Sequence, residues 1–213
     1  MEPQILQSIL RALPEQFVYD IPRCIETSYW EAHTESFNNP LLGEEASYHY
    51  PYYRRSILEK KMRDAALDAG LRAERKSTPS GHYHYTEIHA KDWVFTVKHA
   101  YNKYHMPQSS TFRQQGSRLN CQLQQLIMPS ILGIEESVES SKFYAIIHHG
   151  ADCKDISKPG FIRIGVPLED FSGWMACYNI HDLLENLAKT PTEEDIAVIA
   201  TWKERAIRNI HQE

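Results

Sequence analysis

The fold of this chain is decided in residues 82–100, which read HYHYTEIHAKDWVFTVKHA. The polarity of successive residues alternates over 82–89 and again over 92–100. A period of two is typical of β-strands that bury one face. Because Trp93 and Phe95 fall on the same face of the second run, we expect these strands to lie side by side in a meander.

The flanking sequence extends this pair of strands into a domain. Residues 71–77 predict a further strand before the turn Pro79-Ser80-Gly81. Further strands are predicted at 143–148 and 161–166, and helices at 4–13, 56–69, 111–127, 181–188 and 191–211. Residues 17–53 show no clear period, and the run 171–178 is interpreted as a cap on the core. The predicted fold class is α/β (α+β), a single domain over residues 1–213 with a mixed or mostly antiparallel sheet of about five strands flanked by helices in the order α-βββ-α-β-β-α-α.

Composition bounds the class of protein. The 213 residues are 42% hydrophobic and 24% charged, which is typical of a globular domain and excludes a collagenous, coiled-coil or wholly disordered chain. No run of 18 apolar residues predicts a membrane helix. The N-terminus lacks the pattern of a secretory signal, and the four cysteines form no CxxC pair. We therefore expect a cytoplasmic protein with reduced thiols and no membrane partner.

Charge is segregated along the chain. Residues 1–52 carry 8 acidic and 2 basic residues, residues 53–131 carry 6 acidic and 13 basic residues, and residues 132–213 carry 14 acidic and 8 basic residues. No Asp or Glu occurs from Trp93 to Ile134. Such a stretch favours a polyanionic partner, since a carboxylate beside phosphate weakens attraction.

The sequence therefore predicts a protein that interacts with nucleic acid through its basic central section. The expected phosphate contacts are Arg54, Arg55, Lys60, Arg63, Lys98, Lys103, Arg113 and Arg118. Amide groups on one face of the helix at 111–127 could read base edges, and these are Gln114, Gln122 and Gln125. A regulatory or nuclease-like role in DNA metabolism fits this prediction. A role in defence against foreign DNA, in a bacterium or a phage, fits it as well.

The element order resembles that of restriction-endonuclease-like nuclease cores. That superfamily places an Asp on one strand and an acid-x-Lys triplet on the next, where two carboxylates hold a divalent metal. Here the triplet Thr96-Val97-Lys98 supplies the lysine without the acid. The carboxylates placed to substitute are Glu59, Glu87 and Asp92, so the resemblance implies a metal-dependent nuclease or hydrolase as an alternative function.

Two further interpretations stay open. His82 and His84 share one face of a strand, and with Glu87 they could ligate a divalent metal. The second interpretation is a protein-binding or oligomerisation module, since the Gln-rich helix face and the tyrosine-rich stretch at 48–53 could form an uncharged interface.

Overall fold

A six-stranded mixed sheet forms the centre of the protein, and each strand lies beside the next one in chain order. The structure is a computed structural model that describes residues 2–78, 81, 83–121, 123 and 142–187. The strands are β1 (Arg72–Ser77), β2 (His84–Ala90), β3 (Trp93–His99), β4 (Phe143–Ala151), β5 (Pro159–Pro167) and β6 (Trp174–Asn179). The described helices are α1 (Glu2–Ala12), α2 (Glu15–Phe37), α3 (Ala46–Asp68), α4 (Thr111–Ser117) and α5 (Ile180–Leu187), with 3-10 turns at Gly43–Glu45 and Arg118–Asn120.

One pair of neighbouring strands differs from the others in relative direction. β3 and β4 pair in parallel, with Trp93 opposite Phe143 and His99 opposite His149. All other neighbouring strands are antiparallel. A parallel pair needs a long crossover, and this one includes α4. The carboxyl ends of β3 and β4 therefore meet at one edge, next to the start of β2.

Helices cover both faces of the sheet. Alternate strand residues such as Ile88, Phe95 and Ile147 pack with α1, α2, α3 and α5 in the main hydrophobic core. The other face carries a smaller core around Tyr144 and Ile146. There α4 lies close to β4, and the turn after α4 binds it through Asn120, whose side-chain amide donates to the carbonyls of Tyr144 and Pro167. The result is a single α/β domain of three layers.

Three parts of the sequence prediction are wrong. Residues 17–53 are mostly helical, because α2 buries a stripe that includes Phe17, Ile21 and Ile25, and α3 begins ten residues earlier than predicted. The run at 171–178 was predicted as a cap, but it contains β6, which pairs with β5. The predicted helix at 111–127 is also interrupted, by the 3-10 turn at Arg118–Asn120. Its end and the predicted helix at 191–211 lie outside the described residues. None of the helices in the described part of the chain has the length and apolar character needed to cross a bilayer.

Candidate functional site

A cleft opens at the edge where β3 and β4 end. It has a volume of about 230 Å³ and is lined by residues of α3 and α4 from either side of the sheet, together with residues of β2, β3 and β4. A second cleft of about 180 Å³ adjoins it and shares Lys98, His99 and Tyr101. Binding sites favour the carboxyl ends of parallel strands in open sheets, so this edge is the strongest candidate for a functional site.

Four cationic side chains line the larger cleft, which we call the cationic cleft. Arg54 and Arg55 come from α3, Lys98 comes from β3 and Arg113 comes from α4. Among the described residues, none of the four forms an ion pair with a carboxylate. Buried charges are normally paired, so this cluster is suited to an anionic ligand.

Arg54 is buried between two tyrosine rings. Its guanidinium carbon lies 4.4 Å from the centre of the Tyr29 ring and 5.0 Å from that of Tyr50. The Tyr29 hydroxyl is hydrogen-bonded to Nδ1 of His149 at 2.8 Å, and the Tyr50 hydroxyl donates to the carbonyl of Ile156. Tyr29 comes from α2 and Tyr50 from α3, so cation–π contacts to both helices hold this charge in place.

Arg113 is also buried, at the opposite side of the cationic cleft. Its Nη1 donates to the carbonyl of Gln108 at 2.7 Å and to Oγ of Ser110 at 2.8 Å. Its Nε is buried and has no hydrogen-bond partner among the described residues. The neighbouring Phe112 stacks on Tyr85 of β2, with ring centres 3.9 Å apart, which fastens the start of α4 to the sheet.

One carboxylate, that of Glu59, lines the cationic cleft. Its Oε2 accepts a hydrogen bond of 2.6 Å from the backbone N–H of Thr86 and so connects α3 to β2. Burial raises the pKa of Glu59, although hydrogen bonds from Thr86 and the charges of Arg55 and Arg113 oppose the rise. The carboxylate is thus engaged with the backbone of β2, and the four cations outnumber it.

Lys98 and two histidines are further titratable groups that line the cationic cleft. Burial lowers the pKa of Lys98 to about 8, and repulsion from Arg113 and Arg55 adds to this effect. Burial likewise lowers the pKa of His99 to about 4 and that of His149 well below its usual value. The imidazoles are therefore neutral at pH 7, and the positive charge belongs to Lys98 and the arginines.

Exposed aromatic rings stand beside these charges. Tyr52 lines the cationic cleft and is 66% exposed, and Tyr101, which borders both clefts, is 96% exposed. Exposed tyrosines beside cations can stack on nucleobases while the cations contact phosphate.

The other predicted nucleic-acid contacts do not line the cationic cleft. Lys60 is exposed and pairs with Asp64 at 2.5 Å, and Arg63 is partly buried one helical turn beyond Glu59. Lys103 is exposed beside Tyr104. Gln114 and Arg118 are exposed on α4 and the turn after it. Gln122 and Gln125 lie outside the residues whose side chains are described.

Of the predicted catalytic residues, the structure brings only Glu59 and Lys98 to the cationic cleft. Asp92 lies in the turn before β3, at the opposite end of that strand from Lys98. Glu87 does not line the cleft, and its Oε1 lies 3.0 Å from Nε2 of His89 and 3.8 Å from Nζ of Lys76.

The two predicted metal ligands in the described part of the chain, His84 and Glu87, have separate partners. Nδ1 of His84 is hydrogen-bonded to Oγ of Ser77 at 3.1 Å, while the carboxylate of Glu87 lies near Lys76 and His89. His82 lies outside the described residues. Within the described part of the chain, no group of three His, Cys, Asp or Glu side chains is arranged to hold a metal ion.

Sequence reasoning missed the tyrosines that hold Arg54. Tyr29 lies in the segment 17–53, for which the sequence predicts no regular structure, and Tyr50 lies in the tyrosine-rich stretch at 48–53, which the sequence prediction does not link to Arg54. Their spacing carried a signal, because Tyr29 follows the buried Ile25 by four residues and Tyr50 precedes Arg54 by four.

Comparison with protein-family models, with curated proteins and with solved structures finds no match for this chain.

Proposed function

We propose that this protein binds nucleic acid, and that the cationic cleft is where a phosphate of the strand is held. The observation that carries the proposal is the convergence of Arg54, Arg55, Lys98 and Arg113 on one cleft without an ion-pair partner among the described residues. Phosphate oxygens accept charge-assisted hydrogen bonds from arginine and lysine. The exposed rings of Tyr52 and Tyr101 are placed to stack on an adjacent base.

The test is binding of an internally labelled single-stranded oligonucleotide with phosphorylated ends, followed by fluorescence anisotropy. DNA, RNA and duplex versions of the sequence are compared. We expect Lys98→Gln and Arg55→Gln each to raise the Kd about tenfold or more, since each removes a charged contact with phosphate. Glu59→Gln should lower the Kd, because it removes the negative charge from the cleft.

Matched controls separate the cleft from the general basicity of the central section. Lys60→Gln and Arg118→Gln change the net charge by the same amount, but both side chains are exposed and lie outside the cleft. We expect them to change the Kd less than about twofold, because exposed charges are screened by salt. Equal weakening by all four variants would place binding on an exposed strip instead. Thermal unfolding of each variant confirms that it is folded.

The same samples address the alternatives. An oligonucleotide affinity that does not change with salt concentration would favour a protein-binding module, if the protein also self-associates through the Gln-rich helix face and the tyrosine-rich stretch at 48–53. Glu59 and Lys98 share the cleft, which favours cleavage as the second candidate function. Strand scission in the presence of Mg²⁺ that is lost in Glu59→Gln would establish a nuclease.

A further inference from the structure

The charge, size and unpartnered donor of the cationic cleft indicate which phosphate it holds. We propose that it recognises a terminal phosphate monoester at the end of a nucleic-acid strand, in preference to an internal phosphodiester. This inference rests on the proposed function and specifies the ligand of the same site.

The charge of the cleft fits a monoester better than a diester. An internal phosphodiester carries one negative charge, whereas a terminal phosphate carries about −1.5 to −2 at pH 7 and offers three strong acceptor oxygens. Four cations face one carboxylate in the cleft, and that carboxylate already accepts the backbone N–H of Thr86. Buried arginines such as Arg54 and Arg113 are costly to keep without a counter-charge, and a dianion compensates them more fully than a monoanion.

The size of the cleft favours a strand end. Its volume of about 230 Å³ lies below the range of about 300–1,000 Å³ that is usual for small-molecule sites. A phosphate with part of its sugar can enter such a space from one end of a strand. An internal phosphate would bring chain in both directions into the cleft, whereas a strand end needs room on one side, which the adjoining 180 Å³ cleft at Tyr101 provides.

The buried Nε of Arg113 supplies an independent observation. The side chain is 6% exposed, lines the cleft, and leaves this N–H without a hydrogen-bond partner among the described residues. Buried donors are nearly always satisfied, and a phosphate oxygen is the kind of acceptor that a guanidinium edge binds best. The hydrogen bonds from Nη1 to Gln108 and Ser110 fix the position of the guanidinium in the lining of the cleft.

The experiment compares four versions of one 12-nucleotide strand with an internal fluorophore. The strands carry a 5′-phosphate, a 3′-phosphate, hydroxyls at both ends, or no ends because the strand is circular. We expect one of the phosphorylated strands to bind at least about tenfold more tightly than the hydroxyl-ended and circular strands. The 5′ and 3′ arms identify which end is recognised.

Variants connect the preference to the cleft. Lys98→Gln and Arg55→Gln should reduce the advantage of the phosphorylated strand to less than about twofold, and Lys60→Gln should preserve it. Both variants leave Arg113 in place, because this residue is buried and its replacement would destabilise the fold.

Three outcomes would overturn the inference. Equal binding of all four strands that still depends on Lys98 and Arg55 would leave the proposed function intact and remove the preference for a terminal phosphate. A nucleoside monophosphate that competes as strongly as the phosphorylated strand would show that the ligand is a free nucleotide. Failure of every strand to bind would remove both proposals.

Discussion

The protonation state of Lys98 determines how the cationic cleft responds to pH. Its pKa lies near 8 because burial disfavours the ammonium, Arg113 and Arg55 repel it, and Glu59 only partly compensates. An anionic ligand binds the protonated form, so affinity for a phosphorylated strand should fall as pH rises through 8, by up to about tenfold between pH 7 and pH 9. The ligand contributes little to this change, since its second pKa is about 6 and most of it is already a dianion at pH 7. Anisotropy titrations from pH 6.5 to 9.5 measure the change.

Lys98→Arg is the control for this prediction. Arginine stays protonated over the whole range, so the variant should bind with nearly constant affinity up to pH 9. If the variant shows the same loss as the natural protein, a group other than Lys98 is titrating and the assignment is wrong.

The four cations of the cleft could be named from the sequence as candidate phosphate contacts, but the burial of Arg54 and Arg113 could not be predicted. Arg54, Arg55, Lys98 and Arg113 were all among the predicted phosphate contacts, because the basic central section contains few acids. Arg54 is buried by Tyr29, which lies 25 residues away on another helix. Such a contact depends on how α2 packs against α3, and the four-residue spacings within each helix do not show which helices face each other.

At the scale of elements, five of the six strands could be predicted from the sequence, whereas β6 and the helix bounds could not. β2 and β3 were predicted because alternation directly reflects one buried face. α2 was missed, and α3 was predicted to begin at residue 56 instead of Ala46, because each helix contains a proline, Pro22 and Pro51, which normally ends a helix. Packing of the two helices against each other and the sheet outweighs the lost backbone hydrogen bonds, which is a tertiary effect.

The hairpin of β5 and β6 depends on a glycine. A Cβ placed on Gly165 would lie 2.3 Å from Cζ3 of Trp174, and this indole also stacks on His148 with ring centres 4.7 Å apart. Gly165→Ala must therefore displace the indole or the strand, and we expect it to destabilise the protein by about 1–3 kcal/mol. For a chain of this size the Tm should fall by about 2–10 °C, as measured by circular dichroism.

Gly173→Ala provides a matched comparison in the same hairpin. A Cβ there meets only Cδ1 of Leu168, at the ordinary contact distance of 3.5 Å. The Tm of this variant should stay within about 2 °C of the natural protein. Equal Tm values for the two variants would contradict the argument that Gly165 makes room for Trp174.

At the scale of the whole molecule, the net charge of −5 means that the proposed binding of a polyanion requires a local concentration of cations. At physiological ionic strength the Debye length is about 8 Å, so the acidic N-terminal and C-terminal sections oppose binding only weakly while the cations of the cleft act at contact distance.

Each phosphate charge that is neutralised on a single strand contributes about −0.7 to the slope of log K against log salt concentration. With four cations in the cleft, the slope should lie between about −1 and −3. Titrations with a phosphorylated strand at 50, 100 and 200 mM KCl measure it, and Lys98→Gln should make it shallower by about 0.7. A slope steeper than about −5 would require an extended basic surface, and the cleft would then not be the main site of binding.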